Sequence, residues 1–246
     1  MTVTVLFLGT GDAFGSGGRL HSAALITTAT ARVLVDCGPS TLAALRREGV
    51  EPGDVDLILL THLHGDHFGG LPFFLMEAHY ASRRTRPLVI AGPPGAEERT
   101  AQAQEILFPG SGRLPFRFPL TWAAWDEGCR MPLRSVAVTP RAVSHSDETP
   151  CFGLRIECDD RVIAFSGDTE WTPSLVDLAR NADLFVCECF GYDTAPPRHL
   201  DYVTLMRARP SLTCRRLVLT HMGDSMLRRA PALGVPTASD GLLMCV

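Results

Sequence analysis

Between residues 62 and 67 the chain reads His-Leu-His-Gly-Asp-His, three imidazoles and a carboxylate within six positions. Imidazole nitrogen and carboxylate oxygen suit zinc, and iron or manganese accept them as well. Residues two apart in an extended chain point the same way, so His62 and His64 can grip one ion. Gly65 is expected to permit a sharp turn. Asp66 and His67 then open a helix and can face a second ion. A polar turn with Asp66 as a helix N-cap is the bland alternative, and a lone histidine would favour it. Three histidines at ligand spacing favour metal.

Three further residues of ligand type each follow an apolar run. His145 follows Val136–Thr139, Asp168 follows Val162–Phe165, and His221 follows Leu217–Thr220. Side chains at strand ends can converge on one rim of a sandwich, and Ser144, Gly167 and Gly223 leave room for the backbone to bend. Taken singly, each also reads as a turn acid or a solvated loop histidine. Together with residues 62–67 they favour metal.

The elements that must carry these residues are short apolar runs alternating with helical stretches. Strands are expected at Val3–Leu8, Ser22–Thr27, Arg32–Asp36, Val55–Leu60, Leu88–Ala91, Val136–Thr139, Cys151–Ile156, Val162–Phe165, Leu184–Glu188 and Leu217–Thr220. Helices are expected at Ser40–Glu48, Phe68–Ala81, Ala96–Leu107, Pro173–Arg180 and Tyr202–Ala208, with loop and edge strands over Phe108–Leu133. Ile58–Asp66 (ILLTHLHGD) is echoed by Leu217–Asp224 (LVLTHMGD), as a fold of two similar αβ halves would produce. No linker splits the 246 residues, so residues 1–246 read as one domain.

Hydrophobic residues at 46% and charged residues at 20% are globular composition. A formal net charge of −4 gives no general attraction for nucleic acid or anionic membrane, although Arg83, Arg84 and Arg86 lie together, as do Arg215 and Arg216. No apolar run approaches the roughly 20 residues of a membrane span, and MTVTVLFLGT lacks the basic start of a secretory signal. The expected location is cytoplasmic, with the eight cysteines as thiols. Alternation puts Cys187 and Cys189 on one face of a strand.

With these motifs the chain resembles the metallo-β-lactamase superfamily over nearly its whole length. The HxHxDH motif is met by His62 to His67, and the later His, Asp and His by His145, Asp168 and His221. The resemblance implies an α/β fold, a four-layer αββα sandwich with the site on one edge of the paired sheets. It implies that His62, His64 and His145 hold one divalent ion, that Asp66, His67 and His221 hold the other, and that Asp168 bridges. Zn2+ is the expected metal of this binuclear site, with Mn2+ or Fe2+ as alternatives.

The opening Phe7-Leu8-Gly9-Thr10-Gly11-Asp12-Ala13 is similar to that of ribonuclease Z and its smaller phosphodiesterase relatives, as is a histidine between the bridging Asp and the last ligand, here His199. The resemblance implies that His199 assists the leaving group, and Asp66 and His199 are the candidate catalytic residues. Ribonuclease Z carries a long arm that grips transfer RNA, and this chain has no comparable insertion. The expected substrate is therefore a compact, cyclic-nucleotide-like phosphodiester; binding of structured RNA is not expected. Ions roughly 3.5–4 Å apart can share a hydroxide that attacks phosphorus.

The alternatives are a lactonase or thioesterase, with Tyr192 or Tyr202 in place of His199, and a metal- or ligand-binding sensor. A homodimer, with Phe108–Trp125 covering a neighbour's site, stays open. Gly9–Gly18 lacks the GxxxxGK[ST] pattern and reads as a loop near the site rim, with structural roles for Asp12, Arg19 and His21. His79 reads as a helix residue, Glu188 and Asp224 as acids that support the ligands or cap helices, and Asp36 as a buried acid that could orient a ligand histidine.

Overall fold

The computed structural model describes residues 2–246. Two sheets face each other. The first has seven strands: β1 (Thr4–Gly9), β2 (Ala23–Thr27), β3 (Arg32–Val35), β4 (Leu57–Leu59), β5 (Leu88–Gly92) and β6 (Leu120–Ala124), with β13 (Leu243–Cys245) on the outer side of β1. The second runs in spatial order β12 (Leu217–Thr220), β11 (Leu184–Glu188), β10 (Arg161–Phe165), β9 (Phe152–Cys158), β8 (Val136–Ala142), β7 (Met131–Leu133). Each sheet is antiparallel at one end and parallel at the other. β3 to β6 are parallel in the first sheet and β10 to β12 in the second.

The layering follows from period-two alternation in strands that are apolar throughout. Val5, Phe7, Val33, Val35, Leu57 and Leu59 face inward against Val138, Leu154, Ile156, Ile163, Leu184 and Val186 of the other sheet. Their neighbours Leu25, Leu34, Ile58 and Leu60 face outward, onto α1 (Thr41–Arg47) and α3 (Leu71–Met76). On the far side, Ala164, Phe185, Cys187 and Leu219 pack against Leu175 of α5 (Ser174–Ala179), Leu205 of α6 (Tyr202–Ala208) and Met226 of α7 (Asp224–Leu227). Cys187 and Cys189 share that layer, as alternation required. The result is the αββα sandwich. No helix of the described residues is long and apolar enough to cross a membrane.

Most expected elements form, with α4 (Ala96–Leu107) matching its expected limits. One does not form as read. The helix expected over Phe68–Ala81 is broken into α2 (Gly65–Phe68) and α3, which runs on into a π-helical turn at Glu77–Ala81. The break has a steric cause. The Gly70 amide donates to the Cys37 carbonyl (2.8 Å) rather than to its own helix, and a β-carbon at Gly70 would sit 2.2 Å from the Gly38 oxygen. Pro72, in the first turn of α3, has no amide hydrogen to lose there and restarts the helix. Gly65 corrects the sequence reading too. It has no left-handed backbone and an added β-carbon would meet nothing within 4 Å, so the turn after His64 does not need glycine. α7 and β13 lie in a stretch where no element was expected.

These contacts rank the two glycines. Gly70→Ala should destabilise the fold by about 1–3 kcal/mol through overpacking against backbone, while Gly65→Ala should stay within about 0.5 kcal/mol of the parent. Urea midpoints measure both, and equal midpoints would contradict the steric account of the helix break.

Candidate metal centre

The strands that bear the candidate residues end at one rim. β3 leads into Asp36, β4 into Thr61–His67, β8 into His145, β10 into Asp168, β11 ends at Glu188 and β12 leads into His221. The sheets are tied at this rim by the Phe152 amide, which donates to the Thr61 carbonyl (3.0 Å). Gly167 lies between them at φ 60°, where a β-carbon would stand 2.7 Å from the Phe152 oxygen. Only glycine suits that turn, which delivers Asp168 to the rim.

All seven metal candidates meet there, in two groups. The donor atoms of His62, His64 and His145 lie within 4.8 Å of one another, as do those of Asp66, His67, Asp168 and His221. His64 Nδ1 and His145 Nε2 face each other at 2.9 Å. In the second group His67 Nε2 is 3.3 Å from both Asp66 Oδ2 and Asp168 Oδ2, and His221 Nε2 is 3.4 and 3.1 Å from the same two oxygens. Asp168 Oδ2 also lies 3.9 Å from His62 Nε2 and 3.8 Å from His145 Nε2, so one oxygen stands between the groups.

Each ring is aimed by its other nitrogen. His67 Nδ1 donates to Asp36 Oδ2 (2.7 Å), and Asp36 also takes the Thr61 amide (2.8 Å) and hydroxyl. Asp36 itself has left-handed backbone, φ 60°. Its expected role in orienting a candidate histidine is met in geometry. His145 Nδ1 donates to the Arg198 carbonyl (2.9 Å), and Thr61 Oγ1 lies 3.1 Å from His62 Nδ1. His221, at φ 55°, donates its amide to the Thr10 carbonyl (3.1 Å).

The protonation pattern separates the groups. Burial drives His62, His64 and His145 toward the neutral, donor form. Burial also opposes charge on His67 and His221, but the Asp168 carboxylate outweighs it, together with Asp36 and Asp66 at His67 and with Asp66 and Glu188 at His221, and raises both pKa values. Burial would keep Asp66 and Asp168 protonated, yet the His67 and His221 rings hold both ionised. Buried His62 Nε2 and His67 Nε2 have no hydrogen-bond partner. Orphaned ring nitrogens aimed at carboxylate oxygens are what a cation site requires, so this donor set fits divalent metal.

His199 joins the site at its edge. Its ring packs 4.8 Å from His145, 4.9 Å from Phe190 and 5.5 Å from His221, and burial lowers its pKa. Its Nδ1 faces the two oxygens of buried Glu188 at 3.3 and 3.2 Å. Glu188 also accepts from the amides of Thr169 and Leu200, and burial together with the Asp168 charge raises its pKa. Asp224 does not support the site; it is exposed in the first turn of α7. Asp12 is buried and organises its own loop, accepting from the Phe14 and Ser16 amides, while Arg19 holds Thr10 Oγ1 and His79 accepts from the Arg117 amide. His21 is tied to Ser40, its amide donating to the Ser40 hydroxyl (2.9 Å). Thr61, Phe190 and Arg198 went unread. Thr61 had a signal in the repeated Thr-His ending, whereas Arg198 reaches partners 51 to 54 residues away and had none.

Comparison with known proteins places this geometry. The profile of the family described as "Anti-Pycsar protein Apyc1" matches residues 3–237. Protein ML1173 of Mycobacterium leprae is 31% identical over 229 residues, covering 90% of this chain and 78% of its own length. Among solved structures, the metallo-β-lactamase fold protein YhfI of Bacillus subtilis superposes with a TM-score of 0.81 at 21% identity, covering both chains fully. The short form of human tRNase Z superposes with a TM-score of 0.79 at 25% identity, covering 98% of each chain.

The carboxylates that raise the His67 and His221 pKa values favour protons on rings that a cation placed among them would have to displace. Zinc binding should therefore release protons and tighten with pH, by about tenfold per unit for each proton displaced. Calorimetry in two buffers of different ionisation enthalpy reads this. Buffer-independent heats with a pH-independent affinity would place the ion elsewhere.

Proposed function

The chain belongs to the anti-Pycsar protein Apyc1 family and has the metallo-β-lactamase fold, and on that premise we propose that it is a binuclear metal-dependent hydrolase of compact, cyclic-nucleotide-like phosphodiesters. One observation carries the reading: two donor groups share the Asp168 oxygen while His199, backed by buried Glu188, closes the same site. In this reading His62, His64 and His145 hold one ion, Asp66, His67 and His221 the other, and Asp168 both. Zinc suits the set, and manganese or iron would also be accommodated. When bound, such ions neutralise charge developing on phosphoryl oxygens and make water acidic enough to ionise near neutral pH.

The residues do the remaining work. Asp66, held ionised among the imidazoles, anchors its ion and can orient the attacking water. His199 directs its Nδ1–H at Glu188, so Nε2 is the atom that, in the imidazolium form, can pass a proton to the departing alkoxide and leave the ring neutral. Glu188 fixes that tautomer from a buried position and so acts as a positioning residue. Phe190 packs on His199 and sits under Gly223, where a β-carbon would meet its ring at 2.8 Å, so the wall beside His199 is closely fitted.

The acyl-hydrolase alternative needs Tyr192 or Tyr202 in the place of His199. Those two rings stack on each other at 5.6 Å, and Arg229 covers Tyr192 at 4.0 Å, which is a packing arrangement. His199 has its donor within 4.8 Å of those of His145 and Asp168. This favours the phosphodiester reading. A cytoplasmic site of action belongs to the same proposal.

Two experiments test it. Metal-loaded protein should hydrolyse bis-nitrophenyl phosphate and cyclic nucleotides in preference to lactones, thioesters and precursor transfer RNA, and should lose that activity on chelation with restoration by zinc or manganese. A preference for the acyl substrates would overturn the assignment. His199→Ala should lose about 100-fold or more on an alkyl diester and far less on a nitrophenyl diester, whose leaving group needs no proton. Equal losses would remove His199 from the acid role.

A further inference from the structure

Arg198 holds a left-handed backbone, φ 69°, directly before His199. Its carbonyl accepts from His145 Nδ1 at 2.9 Å. Its guanidinium grips Asp147 with two bonds from Nη2, 2.8 Å to Oδ1 and 2.7 Å to Oδ2, and reaches Ser144 Oγ from Nη1 at 3.0 Å. Ser144 in turn donates to Glu170 Oε1 at 2.5 Å, and its amide donates to Thr169 Oγ1 at 3.1 Å. The Thr169 amide donates to Glu188, the partner of His199. One side chain therefore joins the loops that carry His145, Asp168 and His199.

Stability does not account for it. The side chains of Arg198 and Asp147 are 38% and 81% exposed, and so exposed a pair adds little to folding. A non-glycine residue in the left-handed region is itself strained. Glycine would take the backbone turn without strain but could not hold Asp147. What arginine adds here is orientation: the turn directs one carbonyl at His145 and sends the next side chain toward Glu188.

We propose that Arg198 is a positioning residue, and that its ion pair with Asp147, made by Nη2 while Nη1 holds Ser144, is a latch holding the loops of His145 and His199 in register at the site. The inference rests on the reading that His145 holds metal and His199 is the acid. The latch is exposed, so added salt should loosen it.

The test uses the metal-loaded full chain with Arg198→Gly, Arg198→Lys and Asp147→Asn, reading both the rate of zinc loss to a chelator and the kinetics on an alkyl diester. Zinc loss should be about 10–100-fold faster in Arg198→Gly, with kcat lower, KM unchanged and melting temperature close to the parent. Arg198→Lys should recover part of the deficit, since one ammonium can attract Asp147 but cannot reach Ser144 at the same time, as Nη2 and Nη1 do. Asp147→Asn should shift both readouts the same way and abolish the acceleration of zinc loss by sodium chloride seen in the parent. This last substitution is on an exposed side chain and keeps the proposal testable if Arg198→Gly does not fold. A raised KM with normal zinc retention and kcat would make Arg198 a substrate contact and overturn the latch, as would parental behaviour in both readouts. If the parent cleaves no diester, the phosphodiesterase reading fails alone, and zinc retention still decides the latch.

Discussion

Imidazoles packed edge to face within 5 Å of one another cannot all carry protons, because burial removes the water that would screen their repulsion. That constraint governs the rim of this sandwich. Neutral rings are tolerated in the His62, His64, His145 group, and the two protonated ones are tolerated only beside Asp66 and Asp168. The carboxylates thus favour protons at places that would also suit cations. In the proposed binuclear reading, metal binding would displace those protons and so depend on pH.

Holding the rings in these orientations draws on the whole width of the fold. Asp36 comes from β3 and aims His67, Arg198 aims His145, and Thr61 touches both Asp36 and His62. Among the described residues, three of the seven non-glycine residues with left-handed backbone, Asp36, Arg198 and His221, lie at this rim. Such conformations persist where surroundings over-determine them, and here the bonds of Asp36 to Thr61 and His67, of Arg198 to Ser144, Asp147 and His145, and of the His221 amide to Thr10 supply that restraint. The buried cysteines play no comparable part. Burial pushes the Cys37 thiol to about 12 and that of Cys151 to about 11, which keeps both protonated beside a cluster of metal-type donors.

Much of this was legible in the residue order, for identifiable reasons. Ligand-type side chains end apolar strands, which pointed to one rim, while the division into two donor groups and the αββα layer order were implied by the resemblance to the metallo-β-lactamase superfamily. Glu188 and Asp36 were visible as acids near ligand strands. What stayed hidden depended on contacts remote in sequence. The helix break at Gly69–Gly70 comes from Cys37 and Gly38, more than 30 residues earlier, and no local pattern encodes it. Asp224, read as an acid near a ligand strand that supports a ligand or caps a helix, lies exposed in the first turn of α7 and does not reach the site. Gly65 was read as permitting a sharp turn, yet its space is open and its backbone is not left-handed.

The donors of the second group span 155 residues, from Asp66 to His221, and come from opposite sheets. As the polypeptide leaves the ribosome, the 62–67 segment emerges long before β12 exists. A nascent chain offers only the nearby imidazoles and one acid, without the donors that later strands bring. In the proposed binuclear reading the complete donor set exists only once the two halves have docked, so loading of both ions would follow folding.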